Sequence, residues 1–162
     1  MKILPASAND AVAIAAIWNP IIRDTTVTFN DVEKSVAVIA ALINNRRATG
    51  HEFLIAIKDG TLLGFATYGQ FRSGVGYAHT KEHTVILADN AQGKGVGQAL
   101  ITALESHAKQ NDVHSMIAGV SDENSTAIAF HKELGYEQVG HIPQAGRKFG
   151  RWLGVVLLQK IL

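Results

Sequence analysis

The sequence predicts one mixed α/β or α+β domain, residues 1–162, built round a single central sheet, and three observations carry that expectation. Short β-rich runs alternate with segments of helical period. An Asp59-Gly60 pair joins two of the runs as a hairpin. A glycine loop, Gln92-Gly93-Lys94-Gly95-Val96-Gly97, stands between an extended stretch and a helix. The 162 residues, 47% hydrophobic and 18% charged, suffice to bury a core. Fifteen Lys plus Arg against fourteen Asp plus Glu create no field to recruit nucleic acid or an anionic membrane, so a small-molecule substrate is expected. With no cysteine, disulfides, thiolate metal sites and a cysteine nucleophile are excluded. No apolar run approaches the ~20 residues of a membrane span, and the N-terminus meets Asn9 and Asp10 too soon for a secretory signal, so the cytoplasm is the expected location.

In chain order, Lys2 to Ala6 reads as a strand, and Asn9 or Asp10 can cap a helix carrying Val12, Ala15, Ala16 and Ile22 at helical spacing. Thr25 to Asn30 is a β-branched, polar loop. A second helix from about Glu33 to Arg47 places Val36, Ile39, Ala40 and Ile43 on one face and stops at Gly50; Arg46-Arg47 at its end reads as a solvated pair favoured by the helix dipole. Phe53 to Ile57 and Leu62 to Tyr68 form the hairpin. A Gly-rich loop, Phe71 to Gly76, leads into the extended stretch His79 to Leu87, the glycine loop and a helix from about Val96 to Gln110. His114 to Val120 is a buried strand, Asn124 to Leu134 a helix ended by Gly135, and Tyr136 to His141 and Trp152 to Ile161 are closing strands.

Strand, glycine loop, helix is the arrangement that binds anions. The first backbone N–H groups of a helix lack intrahelical partners, and glycines let the backbone approach a pyrophosphate closely or adopt positive φ, while Lys94 adds charge. Such turns also occur for packing alone. Two better-known phosphate loops do not fit: Gly93-Lys94 is followed by Gly95 rather than Ser or Thr, and Gly93 and Gly95 are followed by Gln98 where a dinucleotide fingerprint needs glycine.

Gln92-x-x-Gly95-x-Gly97 after a long strand, followed by Asn124 and His131-x-x-x-Gly135-Tyr136, resembles the GNAT superfamily of acyl-CoA-dependent N-acetyltransferases over almost the whole chain. Arg72-Ser73, His79 to His83, the glycine loop and Lys148 to Trp152 resemble the phosphinothricin and methionine sulfoximine or sulfone acetyltransferases in particular. The resemblance implies a mostly antiparallel sheet with a splayed parallel pair, His79 to Leu87 and His114 to Val120, and helices on both faces. It implies acetyl-CoA as cosubstrate, with Val85, Ile86 and Leu87 holding the pantetheine arm. Gly93, Lys94, Gly95, Val96, Gly97 and Gln98 would hold the pyrophosphate, and Asn124 would touch the cofactor. It further implies a homodimer.

Acetylation needs a neutral amine, so a proton acceptor is expected. Glu82 is the candidate base: alternation puts it on one strand face with Thr80 and Thr84, and the resembled enzymes assign a carboxylate here to that role. The plain alternative is a solvated strand glutamate. His131 stands where the superfamily often has the tyrosine that protonates the leaving thiolate; it is a candidate acid or a cofactor contact. His83 points to the opposite face from Glu82 and is a pocket or packing residue. No His, Asp and Glu set has metal-ligand spacing, and Ser121 and Ser125 have no paired base, so direct attack of the amine on the thioester is expected, the oxyanion meeting a backbone N–H near Leu87. For the carboxylate of an amino-acid acceptor, Arg72 with Ser73 and Gly74 is the expected anchor; the resemblance adds His83, Thr84 and Lys148 to the acceptor site, with Arg151 weaker and Phe29 as a wall. Gly74, Lys81 and Gly154 depart from the resembled pattern. Two other functions stay open: a non-catalytic acyl-CoA-binding sensor, and a protein or peptide N-acetyltransferase.

Overall fold

The computed structural model describes residues Met1–Leu162. Strand β1 (Lys2–Pro5) leads to α1 (Ala11–Asp24) and α2 (Val36–Ala48), then β2 (Phe53–Lys58), β3 (Thr61–Gln70), β4 (Thr80–Leu87), α3 (Val96–Gln110), β5 (Ser115–Ser121), α4 (Ser125–Glu133), β6 (Glu137–Lys148) and β7 (Arg151–Ile161). The seven strands form one sheet in the order β1-β2-β3-β4-β5-β7-β6. Every neighbouring pair is antiparallel except β4 and β5.

Helices cover both faces. On one, Ile14, Trp18 and Ile22 of α1 and Ile39 and Ile43 of α2 pack on Phe53, Ile55, Phe65 and Ile86. On the other, Leu100, Ile101 and Leu104 of α3 pack on Met116, Ala118 and Leu158. Each such fully buried side chain contributes ~1.5–3 kcal/mol relative to exposure, so the two cores clamp the sheet from both sides. No helix is long and apolar enough to cross a membrane.

Local chemistry explains where elements begin and end. Asp59 and Gly60 both take positive φ, as a two-residue hairpin of this hand requires. The second helix begins at Val36 rather than near Glu33, because Ser35 Oγ accepts the Val38 N–H at 3.2 Å and caps it. At the first helix Asp10 is the N-cap residue as expected, but its side chain bonds no amide of α1 and instead accepts from the Ser7 N–H at 2.7 Å. Arg46 is not a freely solvated partner of Arg47, since its guanidinium lies against Gly69, where a Cβ would meet it. The last hairpin is longer than expected. β6 runs on to Lys148 through register shifts at Gln138/Gly140 and Ile142/Gly146, which break the alternation that marks a strand, and Phe149-Gly150 turn with positive φ at both residues.

The feature that positions the site is a gap. β4 and β5 pair only over Thr80↔Ser115, Lys81↔Met116 and Glu82↔Ile117, although β4 continues to Leu87 and β5 to Ser121. The parallel pair therefore splays beyond Glu82, as the family resemblance implied.

Candidate active site

The glycine loop opens α3. Gly93 (φ +68°) and Gly95 (φ +74°) adopt the left-handed region that other residues enter only with strain, and no atom lies within 4 Å of where a Cβ on either would stand. Gly95 is the N-cap and no side chain caps the helix, so the Val96, Gly97 and Gln98 N–H groups are left for an outside acceptor. A polyanion such as a pyrophosphate suits that end electrostatically. Gly97 has a different reason from the one expected: its φ is ordinary, and a Cβ there would sit 3.1 Å from Phe130 Cζ, so it allows α3 to pack against α4. Lys94 is exposed beside these glycines and is not part of the cavity lining.

From this loop a cavity of about 830 Å³ runs through the splay to a wall made by Trp18 and Ile21 of α1 and by Val27, Thr28, Phe29 and Asn30. The Ala88 N–H bonds the Leu63 carbonyl, and alternation along β4 then turns the N–H and C=O of Val85 and Leu87 away from β3 and into the gap. Ile86 differs from expectation here. Its backbone faces β3 and its side chain is buried in the α1/α2 core, though it also borders the cavity. Val85 and Leu87 thus present the unpaired edge that an extended amide-bearing chain could complete as a missing strand. The loop amides and this edge together fit the pyrophosphate and pantetheine of acetyl-CoA.

Glu82 stands at the apex of the splay, in the last β4–β5 pair. Its Oε1 lies over Gly119 of β5, only 2.9 Å from where a Cβ on Gly119 would be. The carboxylate is accessible through the cavity, and the protein packed round that opening strips enough water to raise its pKa above the ordinary carboxylate value. Thr84 lines the same cavity.

Behind the sheet, His83 and His131 stack at 5.1 Å between ring centroids, and both pack on Tyr136 at 5.6 and 5.4 Å. Both histidines are buried and border the cavity. Burial, with the neighbouring His131 adding to it, pushes His83 down to about 3, and burial lowers His131 as well. His131 Nδ1 is 2.7 Å from the Ala127 carbonyl, which can only accept, so Nδ1 carries the proton and Nε2, buried without a partner, is left as an acceptor. As placed, neutral His131 has no proton on the nitrogen facing away from its own helix. This geometry disfavours the acid role and leaves that of a cofactor or pocket contact. Asn124 caps α4 through Oδ1, 3.0 Å from the Ala127 N–H, and lines the cavity.

Four expected acceptor residues do not line the cavity. Arg72, Ser73 and Gly74 are on the exposed loop before β4, outside the cavity of a single chain, and the Arg72 guanidinium rests 5.5 Å from the Phe71 ring centre. Lys148 is buried and donates to the Ile22 and Thr28 carbonyls, the latter at 2.9 Å, so its ammonium serves the protein backbone instead of facing the cavity. Arg151 pairs with Glu123. Phe29 does form part of the wall. Among the lining residues that sequence reasoning missed are Trp18, Ile21, Val27, Thr28, Asn30 and Gly119. Only the β-branched run beside Phe29 offered a local signal for any of them.

Comparisons with known proteins fall in line with this geometry. The chain is 36% identical over 159 residues to the L-methionine sulfoximine/L-methionine sulfone acetyltransferase of Pseudomonas aeruginosa, a match covering 98% of this chain and 92% of that protein. The ribosomal-protein-alanine N-acetyltransferase of Brucella melitensis superposes with a TM-score of 0.97 at 36% identity, covering 100% of both chains. A Salmonella typhimurium protein solved with its cofactor acetyl-CoA superposes at 0.96 with 33% identity, over 100% of this chain and 94% of that one. Residues 3–157 match the acetyltransferase (GNAT) domain family. That span touches every strand and helix of the sheet and both walls of the cavity, and the chain belongs to the GNAT acetyltransferases.

Proposed function

We propose that this protein transfers the acetyl group of acetyl-CoA to the α-amine of a small amino acid or amino-acid analogue of the methionine sulfoximine, methionine sulfone or phosphinothricin type. The observation that carries the reading is the Glu82 carboxylate at the apex of the splay, opening into the same cavity as the free amides of the glycine loop. The likeness to the Pseudomonas enzyme supports the acceptor class.

In this mechanism Gly93 and the amides of Val96 to Gln98 hold the pyrophosphate, and the edge of Val85 and Leu87 holds the pantetheine arm, laying the thioester beside Glu82. Glu82 takes a proton from the acceptor's ammonium, directly or through water. A carboxyl whose pKa is raised toward the working pH is better matched to that transfer than an ordinary one. The neutral amine attacks the thioester carbon while the carbonyl oxygen meets an N–H on the open edge of β4, Val85 being the one nearer Glu82; the bond to sulfur then breaks, and the proton leaving the new amide nitrogen passes through water to the departing thiolate. One proton is released overall for each ammonium acetylated. Trp18 and Val27 to Asn30 wall the acceptor side and exclude water.

Arg72, Ser73 and Gly74 are exposed and do not line one chain's cavity, so their expected acceptor role fits a homodimer in which a second copy brings this loop to the site. A second acceptor class has one observation in its favour, the name of the Brucella neighbour, which points to the N-terminus of a protein. The test is thiol release with acetyl-CoA against free amino acids, methionine sulfoximine, methionine sulfone, phosphinothricin, polyamines and alanine-starting peptides. We expect the fastest release with the sulfone or sulfoximine, and a loss in Arg72→Ala confined to acceptor use. Faster release with peptides than with every free amino acid overturns the small-acceptor reading, and release no faster than without acceptor for the whole panel overturns it in favour of the acyl-CoA sensor.

A further inference from the structure

We propose that Lys148 is a positioning residue: its ammonium fastens the acceptor-side loop to the end of α1, so that the β6–β7 hairpin, without touching the acceptor, sets the shape of the acceptor pocket. The inference rests on the acetyl-transfer reading above and adds the device that holds one wall of its site.

The last carbonyls of any helix have no intrahelical partner, and the negative end of the dipole favours a cation there. Ile22 is in the final turn of α1, and Lys148 Nζ donates to its carbonyl. The same nitrogen donates to the Thr28 carbonyl at 2.9 Å. Thr28 and its neighbours Val27, Phe29 and Asn30 form the acceptor-side wall. One buried ammonium therefore joins a helix end to a loop that has no regular structure of its own. No carboxylate pairs with it within ion-pair distance, so these two carbonyls carry most of the compensation for burying the charge. Methionine, of nearly the same length, would pack there but could donate nothing.

A second contact from the same hairpin fixes the loop's side chain. Gly146 faces the Phe29 ring so closely that a Cβ would stand 2.2 Å from Phe29 Cδ2. Glycine at this place is thus required by the ring. At the rim, Glu123 accepts from Thr26 at 3.3 Å and pairs with Arg151 just past the turn, an exposed link that adds direction more than energy.

The experiment uses the full chain and two variants, Lys148→Met, which removes the donors, and Gly146→Ala, which pushes on Phe29 and leaves the charge in place. Hydrogen exchange of the amides in residues 25–31 reports the loop without any acceptor. Steady-state acetylation of L-methionine sulfone, with acetyl-CoA affinity by calorimetry, reports the pocket. In both variants exchange in residues 25–31 should rise by about tenfold or more, while α3 and the glycine loop are unchanged. Acceptor kcat/KM should fall on the order of 10–100-fold, mostly through KM, because displacement near 1 Å has that effect. Acetyl-CoA affinity should stay within about twofold, a split that general destabilisation would not produce. Unchanged loop exchange in both variants overturns the proposal, as does a loosened loop with unaltered acceptor kinetics or a parallel loss of acetyl-CoA affinity. If the wild-type chain releases no thiol with L-methionine sulfone, the acceptor reading fails by itself, and the exchange data still decide whether Lys148 holds the loop.

Discussion

The contact between Glu82 and Gly119 offers a sharp test of the mechanism, because one methyl group should leave the fold intact and still injure the chemistry. A Cβ at Gly119 would stand 2.9 Å from Glu82 Oε1, whereas ordinary contact begins near 3.4 Å, so in Gly119→Ala the carboxylate must retreat by about 0.5 Å. The next neighbour, Val155 Cγ2 at 3.8 Å, is already at ordinary contact distance, and Gly119 has no positive φ for alanine to violate. Glu82 Oε1 is the free end of a flexible side chain, so relief of the clash costs little. Alanine also removes unfolded-state entropy worth ~0.4–1 kcal/mol, so stability should be unchanged or slightly higher. Catalysis responds differently. General-base work contributes ~10²–10⁴-fold, and sub-ångström misplacement forfeits part of it, so the single-turnover rate should fall about tenfold. The assay is rapid-quench acetylation of the best acceptor at saturating acetyl-CoA, run in wild type, Gly119→Ala, Glu82→Gln and the double variant. In the Glu82→Gln background the alanine should add little, since the base it displaces is already gone. Wild-type rates in Gly119→Ala, or a full tenfold loss on top of Glu82→Gln, would refute the assignment.

Two further predictions concern the cofactor loop and the pH response. Gly95→Val forces a β-branched residue into φ +74° at the N-cap of α3, and calorimetry should show acetyl-CoA binding weakened by at least tenfold; wild-type affinity would remove the loop from cofactor binding. Glu82→Gln should lower the rate at neutral pH by ~10²–10⁴-fold with acetyl-CoA affinity retained, and higher pH should restore part of it as more acceptor arrives neutral. The same substitution has a stability signature. The folded chain holds the Glu82 proton more tightly than the unfolded one, so Glu82 favours folding below the ordinary carboxylate pKa, and that contribution is lost as pH rises through the raised folded-state value. Melting curves should therefore show Glu82→Gln gaining Tm over wild type at pH 7 and gaining nothing below about pH 4. Equal shifts at both pH values would mean that Glu82 titrates as an ordinary surface group.

What the sequence disclosed follows from range. The Gly50 and Gly135 helix stops, the Asp59-Gly60 turn and the glycine loop are decided by residues within a few positions of one another, and each could be read locally. The end of β6 could not. Pro143, the positive φ of Gln144 and two register shifts interrupt the period-two pattern, and Phe149-Gly150 is not among the residue pairs that advertise a two-residue turn. Gly97 shows a subtler limit. Its place in the glycine pattern was visible, but its reason, the ring of Phe130 from the next helix, exists only in three dimensions. Lys148 is the clearest case: its motif pointed to the acceptor site and its ammonium is indeed near that region, yet it is spent on backbone carbonyls, one of them 126 positions away.

The two halves of the cavity are consequently built by different means. The cofactor side is made of backbone: orphan amides at a helix start, glycines with positive φ and the unpaired edge of β4, none of which depends on side-chain identity beyond glycine. The acceptor side is made of side chains drawn from α1, the loop after it and β4, and is held in place by a hairpin from the end of the chain. Of the seven buried side-chain polar atoms without a partner, four, both ring nitrogens of His83, His131 Nε2 and Ser121 Oγ, belong to residues lining the cavity. Local rules are relaxed where a fold meets its ligand, because a group already satisfied by the protein has nothing to offer a substrate. A change on the backbone side should therefore be felt with every acceptor alike. A change in the hairpin or in the loop it holds should reorder acceptors while leaving the cofactor's affinity as it was.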